Sequence, residues 1–290
     1  MRRPSLPTVS VLADLPPPAI RALRSARTAL YRAAGPLERA LRPAARELPP
    51  LWLRRHAGPV RHFVSSALEA ERLLVELDLV RQDSSVVDLG CGPGAMAPIF
   101  ARRLGARGRY LGLDVHAPSI RWCRERFAGD PRFRFEVLDR ESPYRTTRGA
   151  ASARLPVEDA SADLVLAKSL FTHVLAEETA QLFAEIRRAL RPELGRAFVT
   201  AFLFDAAAGE PPAFPHPGPG AAVRWRHRRW PHAAVAYERG LFEFLAEANG
   251  LARERFVAGF HPGRDAVPSG QDVIVLEPVA AKGGGVERAG

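Results

Sequence analysis

The chain has 290 residues, of which 47% are hydrophobic, and its formal net charge is +10. This length suits one α/β domain with an appendage. The two cysteines, Cys91 and Cys123, are too few for a disulfide framework, and their spacing is not that of metal ligands. We therefore expect a cytoplasmic protein without a metal site. No apolar run approaches the roughly 20 residues that a membrane-spanning helix needs.

The positive charge comes almost entirely from arginine, since only Lys168 and Lys282 are lysines. Abundant alanine accompanies the arginine, which is typical of a G+C-rich genome. Clustered cations can bind nucleic-acid phosphates, but we attribute much of this charge to composition on solvated faces. Nucleic acid is therefore an alternative partner that the sequence does not favour over a small molecule.

Residues 1–58 form a basic, proline-interrupted extension with 11 arginines and three acidic residues. Apolar residues recur every three or four positions from Ile20 to Leu41, which predicts an amphipathic helix that Gly35 and Pro36 bend or interrupt. We interpret this helix as a cap folded over the rest of the chain. Peripheral contact with an anionic membrane is the alternative that the pattern leaves open.

Strand-like and helical segments alternate through a domain assigned to residues 59–280, which is typical of βαβ units with a parallel sheet. An insertion is assigned to 205–236 and a flexible tail to 281–290. The predicted strands are Ser85–Leu89, Tyr110–Asp114, Phe133–Leu138, Leu164–Ala167, Ala197–Leu203, 253–259 and Asp272–Leu276. The predicted helices are Ala67–Leu79 and segments near 94–104, 117–127, 176–190 and 239–248.

A glycine-rich turn, VVDLGCGPGA over Val86–Ala95, follows the first predicted strand. Glycine has no Cβ and permits positive φ, so backbone in such a turn can approach a ligand closely. Asp114 ends the second strand, where a carboxylate can accept both ribose hydroxyl protons, and Asp139 ends the third. Because the carboxyl ends of neighbouring parallel strands meet at one edge, we expect a ligand site there.

These motifs resemble those of class I S-adenosylmethionine-dependent methyltransferases, from about Leu79 to Leu276. Segments Asp159–Val165 and Lys168–His173 resemble that family's fourth-strand motif. Glu185–Pro192 with Gly195 and Arg196 resembles the helix and turn before its fifth strand, although Glu193 and Leu194 replace the glycine-rich turn often found there. The resemblance implies the following cofactor contacts: Asp88 with the amino-acid end, Gly90, Cys91 and Gly92 beneath the methionine part, Asp114 with the ribose, Val115, Leu138 and Asp139 near the adenine, and Lys168 after the fourth strand.

The resemblance also implies the fold and the reaction. The expected fold is a Rossmann-like, doubly wound sheet of seven strands, mostly parallel with an antiparallel last strand, with helices on both faces and an N-terminal helical cap. The expected cofactor is S-adenosylmethionine, and the expected reaction is direct SN2 methyl transfer to an oxygen or nitrogen atom of a small molecule whose identity the sequence does not give. The oligomeric state is not predicted.

Two other functions compete with this interpretation. Gly90, Gly92 and Ala95 also satisfy the dinucleotide fingerprint of an NAD-dependent oxidoreductase, although Asp88 before the turn and Pro93 within it favour the methyltransferase. The second alternative is a non-catalytic, methyltransferase-like binding protein, because a fold does not by itself establish an activity.

The acceptor side is predicted from the loop after the fourth strand and from the insertion. His173, just beyond that strand, is the candidate general base. The alternative is that His173 lies at the start of a helix and only helps to close the pocket. The insertion and the N-terminal cap are expected to form the acceptor lid. The alternation of cations and indoles in Val223–Trp230 suits an anionic acceptor but also fits a hairpin strand. The candidate acceptor-binding residues are Trp225, Tyr237, His261 and Arg264.

Overall fold

A sheet of ten strands organises the described part of the chain, which in this computed structural model comprises residues 17–55, 62–139, 154–209, 211, 213–259 and 270–279. The strands are β1 (Ser85–Leu89), β2 (Arg109–Asp114), β3 (Phe133–Val137), β4 (Leu164–Ala167), β5 (Arg196–Phe204), β6 (His216–Pro217), β7 (Val223–Trp225), β8 (Val235–Glu238), β9 (Leu251–Val257) and β10 (Asp272–Pro278). The helices are α1 (Pro17–Leu41), α2 (Leu51–Arg54), α3 (Phe63–Glu76), α4 (Ala97–Arg103), α5 (Ala117–Arg126), α6 (Ala176–Ala189) and α7 (Arg239–Glu247).

Seven of these strands form the predicted central sheet, in the order β3-β2-β1-β4-β5-β10-β9. Strands β1 to β5 pair in parallel, and β10 lies antiparallel to both β5 and β9. This arrangement confirms the doubly wound sheet and its antiparallel last strand. The predicted count of seven is too low for the whole sheet, because β6, β7 and β8 add to it. Those strands have only two to four residues, which is too short for a periodic sequence signal.

The insertion is built directly onto the carboxyl end of β5. Residues Phe202–Phe204 of β5 pair in parallel with Ala236–Glu238, and β7 then pairs antiparallel with both β8 and β6. The predicted hairpin strand at the start of Val223–Trp230 is therefore present as β7. The backbone N–H of Val235 also donates to the carbonyl of Thr172 at 2.8 Å, which joins the insertion to the loop after β4.

Helices cover both faces of the central sheet, as predicted. On one face, α3, α4 and α5 bury side chains such as Leu74, Phe100 and Ile120 against Val86 and Phe198 of the strands. On the other face, α6 and α7 bury a second cluster. Its helical members include Leu182, Phe183, Ile186, Phe242 and Ala246. Their spacing of three or four residues gives each helix one apolar side, and burial of that side holds the layers together.

Helix α1 differs from its prediction in two ways. It runs unbroken from Pro17 to Leu41 with Pro36 inside it, because contacts on both sides of the proline offset the one missing backbone hydrogen bond. Arg55 donates to the Thr28 hydroxyl at 2.7 Å, and Arg54 pairs with Glu38. The leucines of the apolar stripe do not pack on the domain but are exposed. Within the described residues, no helix is both long and apolar enough to cross a membrane.

Candidate functional site

The glycine turn after β1 has the backbone geometry that its sequence predicts. Gly90, Gly92 and Gly94 have φ values of 79°, 52° and 78°, a region that residues with a Cβ rarely occupy. The N–H groups of Gly90 and Cys91 both donate to the carbonyl of Leu113, at 2.8 and 3.0 Å. The turn is therefore fixed against the end of β2.

Asp114 links the glycine turn to the second strand. Its half-buried carboxylate accepts the N–H of Gly92 at 2.8 Å and the N–H of His116 at 2.7 Å. Burial raises the pKa of Asp114, while these two hydrogen bonds act in the opposite direction. Each carboxylate oxygen can accept a further hydrogen bond, so the group keeps capacity for a hydroxyl-bearing ligand.

The buried Asp88 and the partly buried Lys168 carry opposite charges beside this turn, and each influences the pKa of the other. Asp88 is 2% exposed and accepts a hydrogen bond from the Tyr110 hydroxyl. Burial raises the pKa of Asp88 to about 7, although Tyr110 and Lys168 both act to lower it. Burial lowers the pKa of Lys168 to about 8, while Asp88 acts to raise it, and the Lys168 ammonium donates to the Ser66 hydroxyl at 3.2 Å.

The remaining predicted cofactor residues surround Asp114. The N–H of Leu138 donates to the carbonyl of Asp114 at 2.8 Å, so Leu138 and Asp139 continue β3 beside it. Val115 is partly buried against the core. The Cys91 thiol is buried and lies 3.6 Å from the carbonyl oxygen of Gly92, and burial raises its pKa, so it packs as a small apolar group. The structure thus brings the nine predicted cofactor residues to the ends of β1 to β4.

Sequence reasoning missed the long-range contacts that hold this site in place. Ser169, which follows Lys168, has a positive φ of 61°, and its N–H donates to the Thr200 hydroxyl at 2.7 Å. Its own hydroxyl donates to the side-chain oxygen of Gln271 at 3.0 Å. The next residue, Leu170, packs so closely that its Cδ1 would lie 3.3 Å from a Cβ added to Gly90. The spacing of these residues in the sequence carries no signal of such contacts.

The acceptor candidates have different surroundings. His173 Nδ1 lies 2.9 Å from the carbonyl of His232, and His232 Nδ1 lies 3.0 Å from the carbonyl of His173. Burial lowers the pKa of His173. Tyr237 is fully buried and its hydroxyl donates to the carbonyl of Val174 at 2.7 Å, which places it in the core. Trp225 is partly buried, and its Nε1 has no hydrogen-bond partner in the described part of the chain. His261 and Arg264 lie outside the described residues.

Comparison with known proteins gives a family match that coincides with this site. A family model described as a methyltransferase domain matches residues 87–197. A curated relative, an uncharacterised 37.1 kDa protein in transposon TN4556 of Streptomyces fradiae, is 32% identical over 112 residues, which are 39% of this chain and 28% of the relative. The match therefore spans little more than a quarter of that relative's length.

Solved structures share the fold at lower identity. The 1,6-didemethyltoxoflavin-N1-methyltransferase of Burkholderia thailandensis, with bound 1,6-didemethyltoxoflavin and S-adenosylhomocysteine, is 16% identical with a TM-score of 0.55 over 92% of each chain. Geranyl diphosphate C-methyltransferase from Streptomyces coelicolor, in complex with Mg²⁺, geranyl diphosphate and S-adenosylhomocysteine, is 18% identical with a TM-score of 0.53 over 75% of this chain and 80% of that one. Residues 87–197 thus match the methyltransferase-domain family, and the chain shares the Rossmann-like fold of these two methyltransferases.

Proposed function

We propose that this protein transfers the methyl group of S-adenosylmethionine directly to an oxygen or nitrogen atom of a small-molecule acceptor. The observation that carries the proposal is the hydrogen bond of 2.8 Å from the Gly92 N–H to the Asp114 carboxylate. It brings the glycine turn of β1 and the acid of β2 together at the edge of the sheet where doubly wound folds bind ligands.

The chemistry of the residues at this edge fits the cofactor. A Cβ added to Gly92 would meet no atom within 4 Å, so the described residues leave space above this glycine. The amino-acid end of the cofactor carries an ammonium and a carboxylate. The Asp88 carboxyl group would contact the ammonium, and the Lys168 amine would contact the carboxylate. Asp114 supplies acceptors for the ribose hydroxyls, and Val115, Leu138 and Asp139 would hold the adenine.

The chain's own residues have a limited chemical task. When bound, the cofactor supplies an electrophilic methyl group on a sulfonium, so the protein has to bind, orient and exclude water. A base is useful for an oxygen or nitrogen nucleophile, and burial favours the neutral, proton-accepting form of His173. The backbone contacts of the same ring with His232 support the alternative, in which His173 closes the site between the β4 loop and the insertion.

The acceptor would lie between the loop after β4 and the insertion, where Trp225 and neighbouring residues are candidates for contact. Arg226 is the most informative of these neighbours, because its guanidinium lies 4.9 and 5.4 Å from the ring centroids of Phe214 and Phe202. It forms no ion pair with any described residue, and burial alone lowers its pKa. A partly desolvated cation without an ion-pair partner among the described residues favours an acceptor with a negatively charged group.

The names of the structural relatives also support a small-molecule acceptor, since both methyltransferases are named for small organic substrates. By name one methylates nitrogen and the other carbon. Neither of these two names refers to a nucleic-acid substrate.

Calorimetric titration with S-adenosylhomocysteine tests the cofactor assignment. We expect binding by the wild type and at least about a tenfold weaker affinity for Asp114→Asn, because charge-assisted hydrogen bonds each contribute roughly 1.5 to 3 kcal/mol. Asp83→Asn is the matched control, since Asp83 lies at the opposite end of β1 with its side chain 56% exposed. Binding of NADH without binding of S-adenosylhomocysteine would instead establish the oxidoreductase alternative.

A further inference from the structure

Helix α1 presents an apolar face that no described part of the chain covers. Leu23, Leu30, Leu37 and Leu41 are 50%, 66%, 61% and 72% exposed. The first three recur every seven residues and Leu41 follows four residues later, so all four lie on one side of the helix. We call these four leucines, with the exposed Ala26 and Ala33 between them, the leucine face.

The opposite side of α1 holds the helix to the protein. On that side Thr28 accepts a hydrogen bond from Arg55, and the Arg32 guanidinium lies 4.5 Å from the ring centroid of Trp52. At the flank of the leucine face, Glu38 pairs with Arg54. Arg39 stacks at 5.8 Å over Trp122 of α5. The leucine face is thus turned outward by specific contacts, and contiguous exposed apolar surface of this kind marks an interaction site.

The charge around the leucine face distinguishes between its candidate partners. Residues 17–55 contain nine arginines and two glutamates, and both glutamates already pair with arginines, Glu38 with Arg54 and Glu47 with Arg126. Arg27 and Arg42 are exposed beside the leucines. Two such surfaces in contact would place arginines against arginines, whereas an anionic lipid surface would neutralise them.

We propose that the leucine face of α1 docks on an anionic membrane surface. The helix lies in the plane of the interface, its leucines enter the boundary between headgroups and acyl chains, and its arginines extend to the lipid phosphates. This contact goes beyond the methyltransferase function and does not depend on it.

Flotation of the full chain with lipid vesicles tests the proposal without cofactor or acceptor. We expect binding to vesicles of phosphatidylcholine mixed with phosphatidylglycerol, and much weaker binding to phosphatidylcholine alone. Leu30→Gln and Leu37→Gln should each lower the partition coefficient about tenfold, because each removes an apolar side chain from the interface. Arg27→Gln together with Arg42→Gln should weaken binding and its dependence on salt.

Leu194→Gln is the matched control, because Leu194 is 64% exposed in the turn before β5 and should bind vesicles like the wild type. Equal binding to neutral and anionic vesicles, or no binding to either, would overturn the proposal. So would a dimer in sedimentation velocity that Leu30→Gln dissociates, since a second copy would then cover the leucine face. Circular dichroism checks that each variant keeps its helical content.

Discussion

A carboxylate without access to water is costly to keep charged, and Asp88 is such a group. Its side chain lies near the end of a buried strand, where it accepts a hydrogen bond from the Tyr110 hydroxyl and feels the positive charge of Lys168. Burial still outweighs both neighbours and raises its pKa to about 7. Perturbed groups of this kind cluster at functional sites, which agrees with the proposed contact to a charged cofactor.

The pH dependence of stability should reveal this group. The unfolded chain loses the Asp88 proton near its ordinary pKa of 3.8, whereas the folded protein keeps it until the pH reaches about 7. Asp88 therefore makes the free energy of unfolding fall as the pH rises between these two values. Between pH 5 and pH 8, we expect Asp88→Asn to remove about 3 kcal/mol of that fall, since the two pH units between pH 5 and the raised pKa each correspond to roughly 1.4 kcal/mol.

Urea unfolding of the wild type and Asp88→Asn at both pH values measures the difference. Asp83→Asn should keep the wild-type dependence, because Asp83 is an exposed acid at the other end of the strand. Parallel changes in wild type and Asp88→Asn would show that the buried carboxylate is not protonated in the folded protein.

The candidate-site residues that the sequence singled out lie in locally determined structure. Asp88, Gly90, Gly92 and Asp114 fall within a turn and at a strand end, where residue type and spacing determine backbone geometry. Tyr110 and Gln271 were not predicted, because their roles depend on contacts across strands. Gln271, for example, is 102 residues from Ser169, the residue whose positive φ it helps to hold.

Among the elements, α1 shows most clearly that contacts with other segments can outweigh the local conformational preference of a residue. A proline inside a helix lacks one hydrogen-bond donor and its ring crowds the preceding turn, which is why Gly35 and Pro36 predict an interruption. The helix continues past Pro36 because the contacts of Thr28 and Glu38 hold both of its halves against the same short segment. Such contacts have no signature in the apolar periodicity.

Replacing this proline should therefore stabilise the helix. We expect Pro36→Ala to increase protection from hydrogen exchange within α1, by up to about 3 kcal/mol locally, because alanine restores a backbone donor. Pro18→Ala is the control, since Pro18 lies in the first turn, where the N–H has no helical partner. Equal protection in Pro36→Ala and wild type would indicate that the helix is already distorted at this position.

At the scale of the whole molecule, β5 serves two structures. Its residues 197–201 pair with β10 of the central sheet, and Phe202–Phe204 pair with β8 of the insertion. The long strand-forming sequence was predicted, but its second partner was not, because β8 is only four residues long. The long apolar elements and the hairpin strand β7 were thus predicted, whereas the short strands β6 and β8 were not.

A shared strand should make the insertion and the central sheet unfold together. A variant with Trp52→Phe and Trp122→Phe keeps only Trp225 and Trp230, both in the insertion, as fluorescent reporters. We expect their unfolding midpoint in urea to coincide with that of the circular dichroism of the same variant, because breaking β8 from β5 exposes backbone groups in both parts. A lower midpoint for fluorescence would show that the insertion melts independently.

Because β5 pairs with both the central sheet and the insertion, it also limits how the insertion can change during evolution. An exposed loop can be exchanged between homologues at little cost, whereas this segment takes its hydrogen-bond partners from the scaffold itself. Grafting it onto another domain would require residues 202–204 to travel with it. New acceptor preferences should then arise by point changes inside the inherited segment more readily than by wholesale replacement.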